Sequence, residues 1–180
     1  AVFIAALAAQ VRAKTFHPFL YWLVIVATTT VGTTMADFAD RSLGIGYVGG
    51  SLILFALLMA ILALWRVSVG SVSVSHIATP KAEIFYWMTI LFSNTLGTAL
   101  GDFLADAGLG YEGAALVFAA ALALITAAYY FTDVSHTLLF WCAFILTRPL
   151  GATVGDILTK PYANGGFDLS RFGSSAILAV

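Results

Sequence analysis

One pattern is written three times, and it decides what the chain can become. Trp22, Trp87 and Trp141 each precede a glycine by ten residues and an aspartate by fifteen: Gly32 and Asp37, Gly97 and Asp102, Gly151 and Asp156. Matches at two fixed offsets mean one supersecondary unit repeated along the chain, and that period has to be read before any local signal. In the cleanest copy the helix opens with Phe85-Tyr86-Trp87 and runs apolar to Asn94. It then reads Gly97-Thr98-Ala99-Leu100-Gly101-Asp102 and closes with Gly110-Tyr111 and Gly113.

The stretches around this pattern have no charge. Residues 18–36, 42–65, 84–101 and 113–132 lack Asp, Glu, Lys and Arg altogether. Each is close to the roughly 20 residues with which a helix crosses a bilayer. Only 9% of the 180 residues are charged and 61% are hydrophobic, whereas a soluble domain carries about a quarter charged. The expected fold is all-α: a polytopic transmembrane bundle of tandem, parallel two-helix repeats. It forms a single transmembrane domain over residues 1–180. Residues 1–16 are the end of a truncated unit, 17–81 and 82–133 are units, and 134–180 is a unit truncated in its last helix. Five spans are complete and two are partial. Pro149 is expected to kink the fifth or break its hydrogen-bond ladder. Residues 66–81 form one long polar connection that reads equally as strand or loop.

Two helices per unit bring every copy in from the same side, so the copies relate by an axis near the membrane normal. The connections between units carry Arg12, Lys14, Arg66 and Lys81, against Arg41, Lys160 and Arg171 within units. That small excess points the between-unit loops to the cytoplasm. A net charge of −1 and the lack of a basic patch exclude nucleic acid as a partner. A lone cysteine, Cys142, excludes an intrachain disulfide.

The tandem units, each with a tryptophan opening its first helix, and the Thr-Arg-Pro-Leu-Gly stretch at 147–151 resemble a family of bacterial membrane proteins of unknown function. That family is built from four such repeats. The resemblance implies about eight spans, a location in the bacterial cytoplasmic membrane, and terminal helices missing here. It implies no substrate, so function has to come from the residues.

Small residues four apart mark one face of each repeated helix: Gly32 and Ala36, Gly97 and Gly101, Gly151 and Gly155. Such spacing lets membrane helices approach to backbone contact, so these glycines are expected at helix contacts. Steps of four trace a polar stripe beside them: Thr29, Thr33 and Asp37; Asn94, Thr98 and Asp102; Arg148, Ala152 and Asp156. Asp40 and Asp106 add a second acid in the first two copies. Lys160 replaces it in the third and is expected to pair with Asp156. From tryptophan to aspartate is about 22 Å of helix. The carboxylates therefore lie either inside the hydrocarbon, as a functional site, or at its surface. Arg148 is expected to pair with a stripe aspartate.

His17, His76 and His136 read as interfacial residues, and Tyr47, Tyr111 and the three tryptophans as belt anchors. There is no nucleophile–base set, no phosphate loop and no His/Cys metal spacing, so neither an enzyme nor a cofactor is expected. Two classes remain. The first is a small cation transporter or channel, for a hard metal ion or proton-coupled, that uses Asp37, Asp102, Asp156, Arg148, Asn94, Thr33 and Thr98. The three aspartates would be its metal ligands. The second is an accessory subunit, a homo-oligomer or part of a larger membrane complex, in which the stripes only fasten helices.

Overall fold

The computed structural model describes residues 2–13, 15–38, 46–74, 77 and 79–178. Among them there is no strand. Seven α-helices follow in order: α1 (Val2–Arg12), α2 (Pro18–Asp37), α3 (Gly46–Val69), α4 (Pro80–Leu104), α5 (Gly110–Phe131), α6 (His136–Thr159) and α7 (Arg171–Leu178).

Four stretches are long and apolar enough to cross a membrane, and one of them, Pro80–Phe131, is 52 residues long. Straight, it would measure about 78 Å, more than twice the roughly 30 Å hydrocarbon core. It is not straight. A π-helical turn at Ala105–Leu109 holds Gly108 at φ 97°, and Gly110 follows at φ 64°. That left-handed region is open to glycine without steric cost, so the stretch divides into α4 and α5. The spans are thus five helices of 20 to 25 residues, flanked by the shorter α1 and α7.

Helix boundaries follow local chemistry. Pro18 occupies the first turn of α2, where its missing N–H costs nothing. Pro149 lies inside α6, yet the helix runs unbroken from His136 to Thr159. Pro149 cannot donate to the Ile145 carbonyl, but the loss stops at that bond. One turn on, the Thr153 hydroxyl donates back to the Pro149 and Leu150 carbonyls at 3.0 Å each. These bonds are the ordinary back-bonding of a helical threonine and do not reach the Ile145 carbonyl; membrane helices nonetheless tolerate an internal proline. After α6 the chain folds back. The N–H groups of Phe167, Asp168 and Leu169 donate to the carbonyls of Ile157, Lys160 and Leu158, caring for the acceptors that a helix end leaves open.

Residues 1–96 and 97–180 form two compact units, with the boundary inside α4. In the first, α1 packs on α2. Trp65 of α3 stacks on Phe85 of α4, with rings 6.4 Å apart and 6° from parallel. The Tyr21 and Tyr86 hydroxyls meet at 2.9 Å. In the second unit α5 packs along α6, and α7 touches α6.

Burial departs from that of a soluble protein, although Leu58, Trp65, Trp87 and Ile90 are buried as usual. Leu116 and Leu124 are 71% and 72% exposed, while Thr28, Thr89, Ser93 and Thr95 are 0% exposed. Apolar side chains outside and hydroxyls inside suit a lipid solvent. With the four long apolar stretches, this makes the chain an integral membrane protein.

Candidate functional site

In the first unit the polar interior belongs mainly to α4. Thr89, Ser93, Asn94 and Thr95 are all buried. Thr89 and Thr95 donate to their own helix, to the carbonyls of Phe85 and Leu91 at 2.8 and 2.9 Å. Asn94 reaches across instead: its Nδ2 donates to Thr28 Oγ1 of α2 at 3.3 Å. Thr28 in turn donates to the Ile25 carbonyl at 2.7 Å. The helices come this close because of Gly32. A Cβ there would lie 2.9 Å from Asn94 Cβ and 3.1 Å from the Thr95 nitrogen. Ser93 Oγ and, on α3, Ser51 Oγ are buried with no hydrogen-bond partner among the described residues. A hydroxyl left so in a dry interior costs about 1–3 kcal/mol.

Toward the start of α4 the same unit opens into a cavity of about 1120 Å³, lined among others by Gln10, Arg12, Tyr21, Glu83, Tyr86 and Trp87. Glu83 is its carboxylate. Glu83 Oε1 accepts from Gln10 Nε2 at 3.1 Å and from Trp87 Nε1 at 3.4 Å. Gln10 is only 8% exposed, and its Oε1 has no partner among the described residues. The wall of the cavity therefore offers a held carboxylate beside an acceptor that lacks a donor.

The second unit repeats the glycine contact with different chemistry. A Cβ on Gly97 would fall against the Cβ of Arg148, with Pro149 Cδ at 3.1 Å. One turn on, a Cβ on Gly101 would stand 3.5 Å from Ala152 Cβ. The Arg148 guanidinium lies over the Phe144 ring, 4.9 Å from its centroid. Asp156 meets Lys160 Nζ at 3.7 Å, and Lys160 also reaches over the Tyr111 ring at 5.8 Å.

Two of the three repeated aspartates, Asp37 and Asp156, fall in the last turns of their helices, and Asp102 lies just before the π-helical turn. Asp37 ends α2, Asp102 lies two residues before the end of α4, and Asp156 three before the end of α6. A helix C-terminus already carries partial negative charge, so a carboxylate there is unfavourable by about 0.3–1 kcal/mol unless a cation joins it. Among the described residues of neither unit is there a group of three or more His, Cys, Asp or Glu that could hold a metal ion.

The other residues singled out from sequence are placed as follows. Thr33 is exposed and donates to the Thr29 carbonyl at 3.0 Å, and Thr98 is half-buried. Gly32, Gly97 and Gly101 lie at helix contacts. Gly151 and Gly155 part from them, because a Cβ at either would meet nothing within 4 Å. Equal spacing gives equal faces, but among the described residues nothing stands that close to the third. His17 lies beside Thr15 at 3.1 Å, and the His136 ring lies 4.7 Å from that of Tyr129. Lys14, Asp40, Arg41 and His76 fall outside the described residues. Glu83, Gln10, Thr28, Ser93 and Ser51 were not legible as site residues.

Residues 20–71, 85–135 and 139–180, most of the chain, match one family, described as a repeat of unknown function (DUF347). No curated protein and no solved structure matches.

Proposed function

This chain belongs to that repeat family, whose function is unknown, and we propose from its own residues that it is a small transporter or channel for a cation. The observation that supports the reading is the inward polar face of α4: Thr89, Ser93, Asn94 and Thr95 buried inside an apolar-surfaced bundle. Thr89 and Thr95 use their hydroxyls on their own helix, but Ser93 Oγ has no hydrogen-bond partner among the described residues and Asn94 reaches across to Thr28, so the face offers oxygens beyond those that close packing employs. The Glu83 cavity is the mouth. A cation entering it meets one carboxylate and the Gln10 carbonyl oxygen; the hydroxyl and amide oxygens of Ser93, Asn94 and Thr28 are its next ligands in this reading, beyond the lining of the cavity. Oxygen donors without nitrogen or sulfur select protons, monovalent ions or hard divalent ions. In the second unit Asp102 adds negative charge just before the π-helical turn, and Asp156 at a helix C-terminus. Thr33 and Asp37 belong to the same pathway in this reading, and Thr98 and Arg148 are the corresponding polar residues of the second unit. No chemical step and no cofactor enter.

The test is flux into proteoliposomes of a panel of mono- and divalent cations, with and without a pH gradient. Glu83→Gln keeps an acceptor for Gln10 and Trp87 and removes the charge. It is expected to lower flux at least about tenfold while the protein stays folded, the scale of one lost charge interaction, and Asp102→Asn is expected to act in the same direction. If no cation moves through the wild type, the transport reading falls. The accessory-subunit reading then stands in its place, supported by Gly151 and Gly155, where an added Cβ would meet nothing within 4 Å.

A further inference from the structure

We infer that the Glu83 cavity binds an organic ammonium ion, one whose nitrogen keeps its N–H groups and carries an apolar body. This rests on the reading of that cavity as the mouth of a cation path, and it narrows the cation; binding itself needs no transport. The first observation is the Gln10 side chain. It lines the cavity, is 8% exposed, and leaves Oε1 without a partner among the described residues. The orientation of its amide follows from its neighbour. A carboxylate only accepts, so Glu83 Oε1 takes the Nε2 end at 3.1 Å and the oxygen end is left over. Trp87 Nε1 donates to the same carboxylate oxygen at 3.4 Å, so two donors hold Glu83 in place. Buried acceptors are normally satisfied, and a ligand with N–H donors would satisfy this one. The amide oxygen and the carboxylate flank one amide group, within reach of a single ammonium that donates to both.

The second observation is what surrounds these two acceptors. Tyr21, Tyr86 and Trp87 also line the cavity. Their rings pack on one another, with 5.4 Å between Tyr21 and Trp87 and 5.2 Å between Tyr86 and Trp87. Aromatic rings attract a cation and cover its carbon atoms. A bare metal ion makes poor use of such a wall. A hard divalent ion takes about six or more oxygens, and the buried end offers one carboxylate and one amide oxygen among the described residues. An ammonium uses the two oxygens for its N–H groups and the rings for its body. An apolar lining with few convergent polar groups is the usual make-up of a small-molecule pocket, and about 1120 Å³ gives the body room. Arg12 lines the cavity too, but it is exposed, so water and salt screen it from a charge at the buried Gln10 end.

Binding is measured by titration calorimetry on the full chain in phosphatidylcholine nanodiscs, with three probes that share one ring. Benzylammonium has charge and N–H donors, benzyltrimethylammonium has charge alone, and benzyl alcohol has no charge. The wild type is expected to bind benzylammonium at least about tenfold more tightly than either of the others. Glu83→Gln should bring benzylammonium down to the level of benzyl alcohol. Gln10→Leu should weaken benzylammonium about tenfold and leave benzyltrimethylammonium unchanged, a split that a loosened fold would not produce. Thermal unfolding checks that both variants fold, and the probe series on the wild type decides without them. Adding phosphatidylethanolamine, whose head group is itself a primary ammonium, separates two sources of the ligand. Competition with benzylammonium assigns the site to a lipid head group, and unchanged affinity assigns it to a soluble amine. A wild type that does not bind benzylammonium, or binds it no better than benzyltrimethylammonium, overturns the proposal. So does Gln10→Leu weakening both charged probes alike. Flux of inorganic cations without benzylammonium binding leaves the transport reading standing and removes this one; binding without flux of any cation does the reverse.

Discussion

The contact of Gly32 with Asn94 in the first unit and that of Gly97 with Arg148 in the second are one backbone arrangement carrying two chemistries. In the first, the seventh residue after the tryptophan is an amide that donates to Thr28 at 3.3 Å. In the second it is a guanidinium lying on the Phe144 ring, followed by a proline. The glycine sets the distance and the seventh residue sets the chemistry, so the repeat can change what its interior offers without changing how its helices meet. The two contacts should also differ in stiffness. An added Cβ at Gly32 meets the Asn94 Cβ and the backbone of Asn94 and Thr95, whereas at Gly97 it meets the fixed Pro149 ring as well as Arg148.

The largest expected effect tests that stiffness. Gly97→Leu should cost about 3 kcal/mol or more, the upper end for overpacking, since the added carbons meet Arg148 Cβ and the Pro149 ring. Gly32→Leu should be destabilising but milder. Thermal unfolding in detergent measures both. Equal losses at the two sites would mean that the proline does not stiffen the second contact. Loss at neither would mean that the glycines do not set the helix distance at all.

Replacing the seventh residue should act differently from replacing the glycine. Asn94→Leu removes the donor to Thr28 and leaves the backbone approach intact. It should cost about 1 kcal/mol, the scale of an interhelical hydrogen bond in a membrane. Its larger effect is expected on cation flux, because the change turns an oxygen-bearing wall apolar. Should stability fall by several kcal/mol with flux unchanged, the first contact is a fastening like the second, and the comparison loses its functional half.

Much of this was legible from residues. The uncharged runs located the spans, and the constant offsets from tryptophan located Gly32 and Gly97 at contacts. Other features were not. Glu83 lies in the first turn of α4, where an acid reads as an ordinary complement to the helix dipole. Its role appears when Gln10, more than seventy positions earlier, is folded against it. Thr28 was passed over because steps of four from Asp37 arrive at Thr29. One residue is a 100° turn of the helix, so the buried hydroxyl is on the neighbouring face. Pro149 was expected to kink α6 or break its hydrogen-bond ladder; the helix runs unbroken from His136 to Thr159, because a proline removes a single donor. Gly151 and Gly155 carry the same spacing as Gly97 and Gly101. Spacing specifies a face, and whether a neighbour fills it is decided by the rest of the fold.

The smallest expected effect separates the second and third copies at their acidic ends. Four residues after the repeated aspartate stands Asp106 in the second copy and Lys160 in the third. One turn of helix therefore holds two like charges in one case and an ion pair of 3.7 Å in the other. Lys160 remains 42% exposed and Asp156 27%, so solvent and salt screen most of the attraction. Lys160→Met should cost about 0.3–0.5 kcal/mol at low ionic strength, fading as salt approaches about 1 M, where the screening length is about 3 Å. Asp106→Lys should bring a gain of similar size by replacing repulsion with attraction one turn from Asp102. Thermal unfolding of both variants at low and high salt measures the pair. A salt-independent loss for Lys160→Met would instead assign the contribution of this side chain to its stem and its place over the Tyr111 ring. The acidic ends of the second and third copies would then differ in packing and not in charge.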